Sequence, residues 1–241
     1  MPKIEFLTAR PIAHRGQHDG NVAVWENTLS AFKRAIANGY AIECDLQYAA
    51  DAVPVVFHDD DMERLCKIKG DVRAKTSSEL GLIAIGGTSD KVPTLKALLR
   101  LVKGQVPLVI ELKGRKGDDD GFAAAVLEDL EDYDGDLALM SFDEWLLKDL
   151  KELGSPWPVG LTAEGTKDEE FAAHRKAMDH GLDFISYCVD HLPNAFITEQ
   201  REKGIPVITW TVRTPEQAAH SARHADQITF ELFEPEGASS R

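Results

Sequence analysis

The sequence is short of features that would place it in several common protein classes. Its 241 residues include only three cysteines, Cys44, Cys66 and Cys188, which are widely spaced and odd in number. This pattern excludes a disulfide framework and the paired-cysteine spacing of a zinc site. We therefore expect the protein to work in a reducing compartment, the cytoplasm.

Long apolar runs are also missing, and we expect no leader segment. No stretch of about 18 apolar residues occurs, so we expect no membrane span. The first seven residues, MPKIEFL, contain an acid and no apolar core of signal length. This composition argues against a secretory signal.

Positive charge is scarce. Lysine and arginine total 27 against 41 acidic residues, which gives a formal net charge of −14. Nucleic acids and anionic membranes bind basic surfaces, so the charge excludes both as main partners. A small anionic substrate would need local positive charge, from a metal ion or from a few arginines and lysines. Nothing in the composition indicates an oligomeric state.

What is present is an alternation of short apolar strands with helical patterns. Helices are predicted between most of the strands, over residues 28–38, 143–153, 168–180, 193–203 and 214–224. Eight such strands predict a closed (β/α)₈ barrel. An open doubly wound sheet is the second choice, although no Gly-x-Gly-x-x-Gly follows the first strand. The predicted strands are 12–16, 41–47, 107–113, 137–142, 158–163, 183–188, 206–212 and 226–231.

One interval interrupts this alternation. Residues 48–106, between the second and third strands, contain an apolar piece at 53–57, then a loop-rich stretch and a helix near 94–103. We expect one domain over residues 1–241, with a small insertion in this interval that lies over the barrel mouth. Only a short tail follows the last strand, so a full eighth helix is predicted to be missing.

Acidic residues lie where two strands end, which is where barrel enzymes place their active sites. Glu43 and Asp45 are two residues apart and share one face of a strand, as do Glu111 and Lys113. Three carboxylates that converge on one mouth repel each other unless a counter-charge is present. A hard divalent cation with oxygen ligands would supply it. The alternative is a salt-bridge network with Arg15 and Lys113.

Two of the eight histidines differ from the rest because each ends an apolar strand-like run. His14 and His58 can therefore flank one site as general base and general acid. His18 and His191 lie in loops and carry no specific signal. The remaining histidines lie on helical patterns and are expected to face solvent; they are His174, His180, His220 and His224.

At these residues the chain resembles the glycerophosphodiester phosphodiesterase family. Each matching piece is short, but the pieces occur in the family's order and at about its spacings from residue 12 to about 230. They are His14-Arg15-Gly16, Glu26-Asn27-Thr28, Glu43-x-Asp45, Pro54-Val-Val-x-His58-Asp59, Pro93-Thr94-Leu95, Glu111-x-Lys113, Ser141-Phe142 and Trp210-Thr211-Val212.

The resemblance implies a barrel with a small insertion and one divalent cation, Mg²⁺ or Ca²⁺. It implies an enzyme that hydrolyses a small-molecule glycerophosphodiester to sn-glycerol 3-phosphate and an alcohol. The implied roles follow by position: metal ligands Glu43, Asp45 and Glu111; acid–base pair His14 and His58; and phosphate contacts Arg15 and Lys113. Trp210 is expected either to form an apolar wall for the glycerol or to pack within the barrel.

The chain departs from the family pattern at the ends of its last two strands. Arg213 stands where the family usually has asparagine, and Phe230-Glu231 stands where it usually has Thr-Asp. Arg213 either binds a second anionic group or points away from the mouth. Two alternative functions stay open: a lysophospholipase D or phospholipase C-like phosphodiesterase, and a non-catalytic barrel that binds glycerophosphate compounds.

Overall fold

The computed structural model describes residues 3–235, and its centre is a closed barrel of eight parallel strands. The strands are β1 Ile12–Ala13, β2 Ala41–Tyr48, β3 Pro54–Val56, β4 Leu108–Leu112, β5 Leu137–Ser141, β6 Val159–Ala163, β7 Phe184–Cys188, β8 Val207–Val212 and β9 Gln227–Phe230. The strand order in the barrel is β1-β9-β8-β7-β6-β5-β4-β2, and β1 pairs with β2 to close the ring. The ninth strand, β3, runs antiparallel to β2.

Helices cover the outside of the barrel, so the predicted fold class is confirmed. Residues 231–235 after β9 form no helix, and the rest of the tail lies outside the described residues. Within residues 3–235 no helix is long and apolar enough to cross a membrane. The helices are α1 Leu29–Ala37, α2 Glu63–Cys66, α3 Ser77–Leu80, α4 Leu95–Val102, α5 Phe122–Leu130, α6 Glu144–Glu152, α7 Asp168–Met178, α8 Ala195–Glu202 and α9 Pro215–Ser221.

Helix α5 has no counterpart among the predicted helices. It begins after Gly121, which offers no side-chain cap, and the loop before it reads GRKGDDD. The usual signal at a helix N-terminus is a side-chain oxygen that accepts a backbone N–H, as Thr28 does for α1. Packing of Phe122 and Val126 against the barrel holds α5 in place instead.

Alternate residues of the strands point inward and outward, as the pleat requires. Ile42 and Cys44 of β2 face outward and join the apolar layer beneath the helices. Phe184 of β7 and Ile208 of β8 face inward and fill the lower half of the barrel. A 3₁₀ turn at Glu5–Thr8 closes the bottom of the barrel with Phe6 and Leu7.

Gly160 in β6 shows how tightly the barrel interior is filled. A Cβ atom at this position would lie 2.4 Å from the ring of Phe184 on the neighbouring strand. The glycine therefore makes room for a fully buried aromatic side chain, and the two residues are partners in the β6–β7 register.

The interval that interrupts the alternation has an apolar cluster of its own. Phe57, Met62, Leu65 and Val72 pack together there, separately from the main core. The segment is joined to the barrel by the β2–β3 pairing and by the Phe57 N–H, which donates to the carbonyl of Asp45 at 3.0 Å. Strand β3 and this bond place the next residue, His58, at the barrel mouth. Helix α4 returns to the outer ring, where it packs against α1 and α5.

Candidate active site

Three carboxylates meet at the mouth end of β2 and β4. The parallel register pairs Asp45 with Glu111, and Glu43 lies two residues earlier on the same face of β2. All three side chains are buried, and one ligand oxygen from each lies within 4.8 Å of the others. The alternation of the two strands produces this arrangement, because the residues between the acids pack outward under the helices.

Two cations face the acids on β2 and β4. Lys113 Nζ lies 2.6 Å from Glu111 Oε1 and 3.1 Å from Asp45 Oδ1. Arg15 Nε lies 3.2 Å from Asp45 Oδ2. Burial alone would raise the pKa of Asp45, but Lys113 and Arg15 hold it well below its usual range. The ion pairs of the alternative salt-bridge reading are thus present in the structure.

Glu43 is in a different electrostatic position. Its Oε2 accepts the backbone N–H of Arg15 at 2.8 Å and lies 4.0 Å from His14 Nε2. Burial raises the pKa of Glu43 well above its ordinary value, and the charges of Asp45 and Glu111 raise it further. A buried set of three oxygen donors with excess negative charge suits a hard divalent cation, so the residues present fit the metal that the sequence implies.

His14 is held from behind by Glu231, the first residue after β9. Glu231 Oε2 accepts the Nδ1–H of His14 at 2.6 Å, and His18 Nε2 lies 3.3 Å from the same oxygen. Arg213 Nε donates to the other oxygen, Oε1, at 2.7 Å. Although burial raises the pKa of Glu231, its contacts with the two histidines and Arg213 lower it well below the usual range. Burial is the main cause that lowers the pKa of His14.

Arg213 lines the cavity at the barrel mouth, but its charge is paired with a carboxylate of the protein itself. Its guanidinium pairs with Glu231, so the two departures from the family pattern contact each other. The contribution of Glu231 and His18 to the site was missed, because His18 and Glu231 are 213 positions apart in the sequence. The paired departures at 213 and 231 were the signal that could have shown the contact.

His58 is supported in a similar way from the insertion. Asp59 Oδ1 accepts the Nδ1–H of His58 at 2.7 Å. Arg64 binds both oxygens of Asp59 and also both oxygens of Glu26, at 2.7–2.8 Å. Glu26 Oε1 in turn accepts a hydrogen bond from Arg15 Nη1 at 2.6 Å.

The backbone beneath the site has an unusual conformation at several points. Arg15 and Asn27 have φ of 54° and 55°, in the left-handed region. Asn27 uses this conformation to donate its Nδ2–H to Asp45 Oδ2 at 2.8 Å. Gly16 has φ +77°, and a Cβ there would lie 2.9 Å from Ala31 Cβ. The glycine after His14-Arg15 is therefore required by a tight turn against α1.

All eight predicted site residues line one cavity of about 290 Å³. Its remaining wall includes the aromatic pair of Phe142 and Trp210, whose ring centroids lie 5.4 Å apart. A larger cavity of about 1020 Å³ lies beside α8 and the turn before β9, away from the carboxylates. The smaller one contains the three buried carboxylates with their neighbouring cations and histidines, and chemistry rather than volume identifies it as the candidate site.

The helical histidines are less exposed than expected. His174, His180, His220 and His224 are all half-buried. His174, for example, packs against the ring of Phe196 at 5.2 Å between centroids. None of the four lines the cavity.

The sequence matches the model of the glycerophosphoryl diester phosphodiesterase family over residues 14–229. The chain belongs to this family. The match includes every site residue named above except Glu231, and it confirms the prediction of an enzyme of this family. His14 and His58, each hydrogen-bonded to a carboxylate, agree with an enzyme rather than a non-catalytic binding barrel, because binding alone requires no proton transfer.

Relatives of the enzyme are similar over most of their length. Glycerophosphodiester phosphodiesterase 1 of Bos taurus is 24% identical over 262 residues, covering 92% of this chain and 78% of the relative. The structure of an Oleispira antarctica phosphodiesterase, in complex with the product sn-glycerol-3-phosphate, superposes with a TM-score of 0.82 at 22% identity and 92% coverage of both chains. The glycerophosphodiester phosphodiesterase from Thermotoga maritima gives a TM-score of 0.74 at 27% identity, with coverage of 91% and 92%.

Proposed function

We propose that the enzyme hydrolyses glycerophosphodiesters to sn-glycerol 3-phosphate and an alcohol, with one bound divalent cation. The observation that carries the proposal is the meeting of three carboxylates, two cations and two supported histidines in one small cavity. The product bound in the Oleispira antarctica relative supports the same substrate class. A cavity of about 290 Å³ favours a small diester over one with a long acyl tail.

Glu43, Asp45 and Glu111 would hold the cation, Mg²⁺ or Ca²⁺. When bound, such an ion polarises a phosphoryl oxygen and helps to position the nucleophile. The charges at the site favour this assignment. Three carboxylates with two neighbouring cations carry a net charge of about −1, and a dication changes that to about +1. The site then attracts a phosphodiester monoanion although the whole protein is strongly acidic.

Arg15 and Lys113 would stabilise the negative charge that develops on the phosphoryl oxygens. Both side chains are already directed at the site by their contacts with Asp45. Their own burial is offset by the neighbouring carboxylates, which raise the pKa of Lys113 and of Arg15. Both groups therefore stay positively charged throughout the reaction. Trp210 would form an apolar wall beside the glycerol.

His14 and His58 would transfer the protons. Each donates its Nδ1–H to a carboxylate whose pKa is lowered, Glu231 or Asp59, so the lone pair of each neutral ring is on Nε2. The histidine that acts as base takes a proton from the nucleophile on this free Nε2, and the one that acts as acid carries a proton on Nε2 as well and gives it to the leaving alkoxide.

The experiment is release of sn-glycerol 3-phosphate from glycerophosphocholine, measured with EDTA, with Mg²⁺ and with Ca²⁺. We expect metal-dependent release, and we expect His58→Ala to lower kcat by about 10²- to 10⁴-fold. His180→Ala, at a half-buried histidine that pairs with Glu144 outside the cavity, is the control. Failure to release product from any of a panel of glycerophosphodiesters, despite bound metal, would overturn the proposal.

We further propose a cytoplasmic location and a single catalytic domain. The three cysteines are free in the structure, which supports a reducing compartment. The insertion supplies His58 and the barrel supplies the remaining groups of the site, which supports one catalytic unit.

A further inference from the structure

Three buried hydroxyl groups in the active-site cavity lack a hydrogen-bond partner within residues 3–235. They belong to Thr162 on β6, Ser186 on β7 and Thr229 on β9, and each residue is 2% exposed or less. All three line the same cavity as the carboxylates and the histidines. Buried polar groups are nearly always hydrogen-bonded, because an unpartnered hydroxyl loses its hydration without compensation.

Two other buried hydroxyl groups of the barrel do have partners. Ser141 Oγ on β5 donates to the carbonyl of Leu112 at 2.6 Å. Thr209 Oγ1 on β8 faces away from the cavity and bonds to Ser221 Oγ at 2.7 Å. The fold therefore satisfies such groups elsewhere, and the three exceptions share one location.

The position of these hydroxyls fits a substrate held at the carboxylates. Thr162 and Ser186 are direct partners in the β6–β7 register, and Trp210 Nε1 donates to the carbonyl of Ser186 at 3.2 Å. In the strand order β7 lies four strands from β2, on the opposite side of the ring from Glu43. A ligand whose phosphate is at β2 and β4 thus extends towards Thr162 and Ser186, and Thr229 lies to one side of it on β9, two strands from β2 by way of β1.

We propose that Thr162, Ser186 and Thr229 form a polyol subsite that binds the neighbouring hydroxyl groups of a glycerol unit of the substrate. The inference rests on the proposed function, since it assumes that the phosphate is bound at the carboxylates. A hydroxyl both donates and accepts, so three of them match a vicinal diol. A quaternary ammonium group offers no hydrogen-bond donor and does not satisfy them.

The first experiment measures binding and needs no turnover. Calorimetry with Ca²⁺ present compares sn-glycerol 3-phosphate with n-propyl phosphate, which has the same phosphate and chain length but no hydroxyls. We expect Thr162→Val, Ser186→Ala and Thr229→Val each to weaken binding of sn-glycerol 3-phosphate about 3- to 10-fold. Binding of n-propyl phosphate should stay unchanged. Equal affinities of each variant and the wild type for sn-glycerol 3-phosphate would overturn the proposal.

Two sources of the diol are separated by steady-state kinetics. If the subsite binds the glycerol unit common to all substrates, the variants raise KM for glycerophosphocholine and glycerophosphoglycerol alike. If it binds a polyol head group, the rise is confined to glycerophosphoglycerol. Either result supports the subsite, and an unchanged KM for both substrates contradicts it.

The control is Thr209→Val, the same chemical change at a buried hydroxyl outside the cavity. It breaks the bond to Ser221 and should lower Tm without changing KM. The three subsite variants remove unpartnered hydroxyls, so their Tm should be equal to or above that of the wild type.

The subsite and the proposed function can fail separately. If the protein hydrolyses glycerophosphodiesters but the three variants bind and turn over substrate like the wild type, the subsite is wrong and the proposed function stands. If the protein hydrolyses no diester but the variants lose the preference for sn-glycerol 3-phosphate over n-propyl phosphate, the subsite stands and the proposed function is wrong.

Discussion

Metal binding at the three carboxylates should be visible as a gain in thermal stability. A ligand that binds only the folded state, present at 100 times its Kd, adds about 2.7 kcal/mol to the free energy of unfolding. For a chain of this length each kcal/mol raises Tm by about 2–4 °C. We therefore expect saturating Mg²⁺ or Ca²⁺ to raise the Tm of EDTA-treated protein by about 5–10 °C.

The variant that tests the site is Glu43→Gln. Burial raises the pKa of Glu43, and Asp45 and Glu111 add repulsion, so its charge is unfavourable in the metal-free protein. Glutamine keeps the acceptor for the N–H of Arg15 and removes the charge. We expect metal-free Glu43→Gln to be at least as stable as the wild type and to lose most of the metal-dependent rise.

Differential scanning calorimetry with a metal titration gives both values in one series. Glu128→Gln removes a carboxylate from the exposed face of α5 and serves as the matched control, with a full metal-dependent rise expected. The reasoning would be refuted if Glu43→Gln kept the wild-type rise, or if metal-free Glu43→Gln were markedly less stable. The first result would show that the metal binds elsewhere. The second would show that Glu43 stabilises the metal-free protein as a partner in an ion-pair network.

Two further predictions concern the carboxylates that support the site. Replacing Glu231 with Gln removes a charge-assisted hydrogen bond to His14, so kcat should fall about 10- to 100-fold with KM little changed. Glu231→Asp should recover part of this loss. Equal kcat values for the wild type and the Glu231→Gln variant would exclude a positioning role for Glu231. Burial opposes ionisation of Glu26, but Arg64 and Arg15 bring its pKa to about 2. Because this folded-state pKa lies below the unfolded value, the stabilisation, on the order of 3 kcal/mol, is present above about pH 4.5 and lost as pH falls towards 2. In urea unfolding the difference between wild type and Glu26→Gln should shrink over that range, and a difference that did not vary with pH would contradict the assignment.

Local patterns were enough to predict the barrel. Strand and helix periodicities are set within a few residues, so each of the eight barrel strands was found close to its observed place. Helix α5 was not, because its N-terminus has no capping side chain and only tertiary packing stabilises it. The separate apolar cluster of the insertion was likewise not predicted, since a loop-rich stretch has no period.

The candidate site divides in the same way. The sequence by itself determined that Glu43 and Asp45 share a face, because two-residue spacing on a strand has no other outcome. Only the tertiary structure decided that Glu231 lies behind His14, 217 positions away, and that Arg64 joins Glu26 to Asp59. Such contacts depend on the closure of the barrel and on the strand register. Both are determined by packing between distant segments, so no local sequence pattern predicts them.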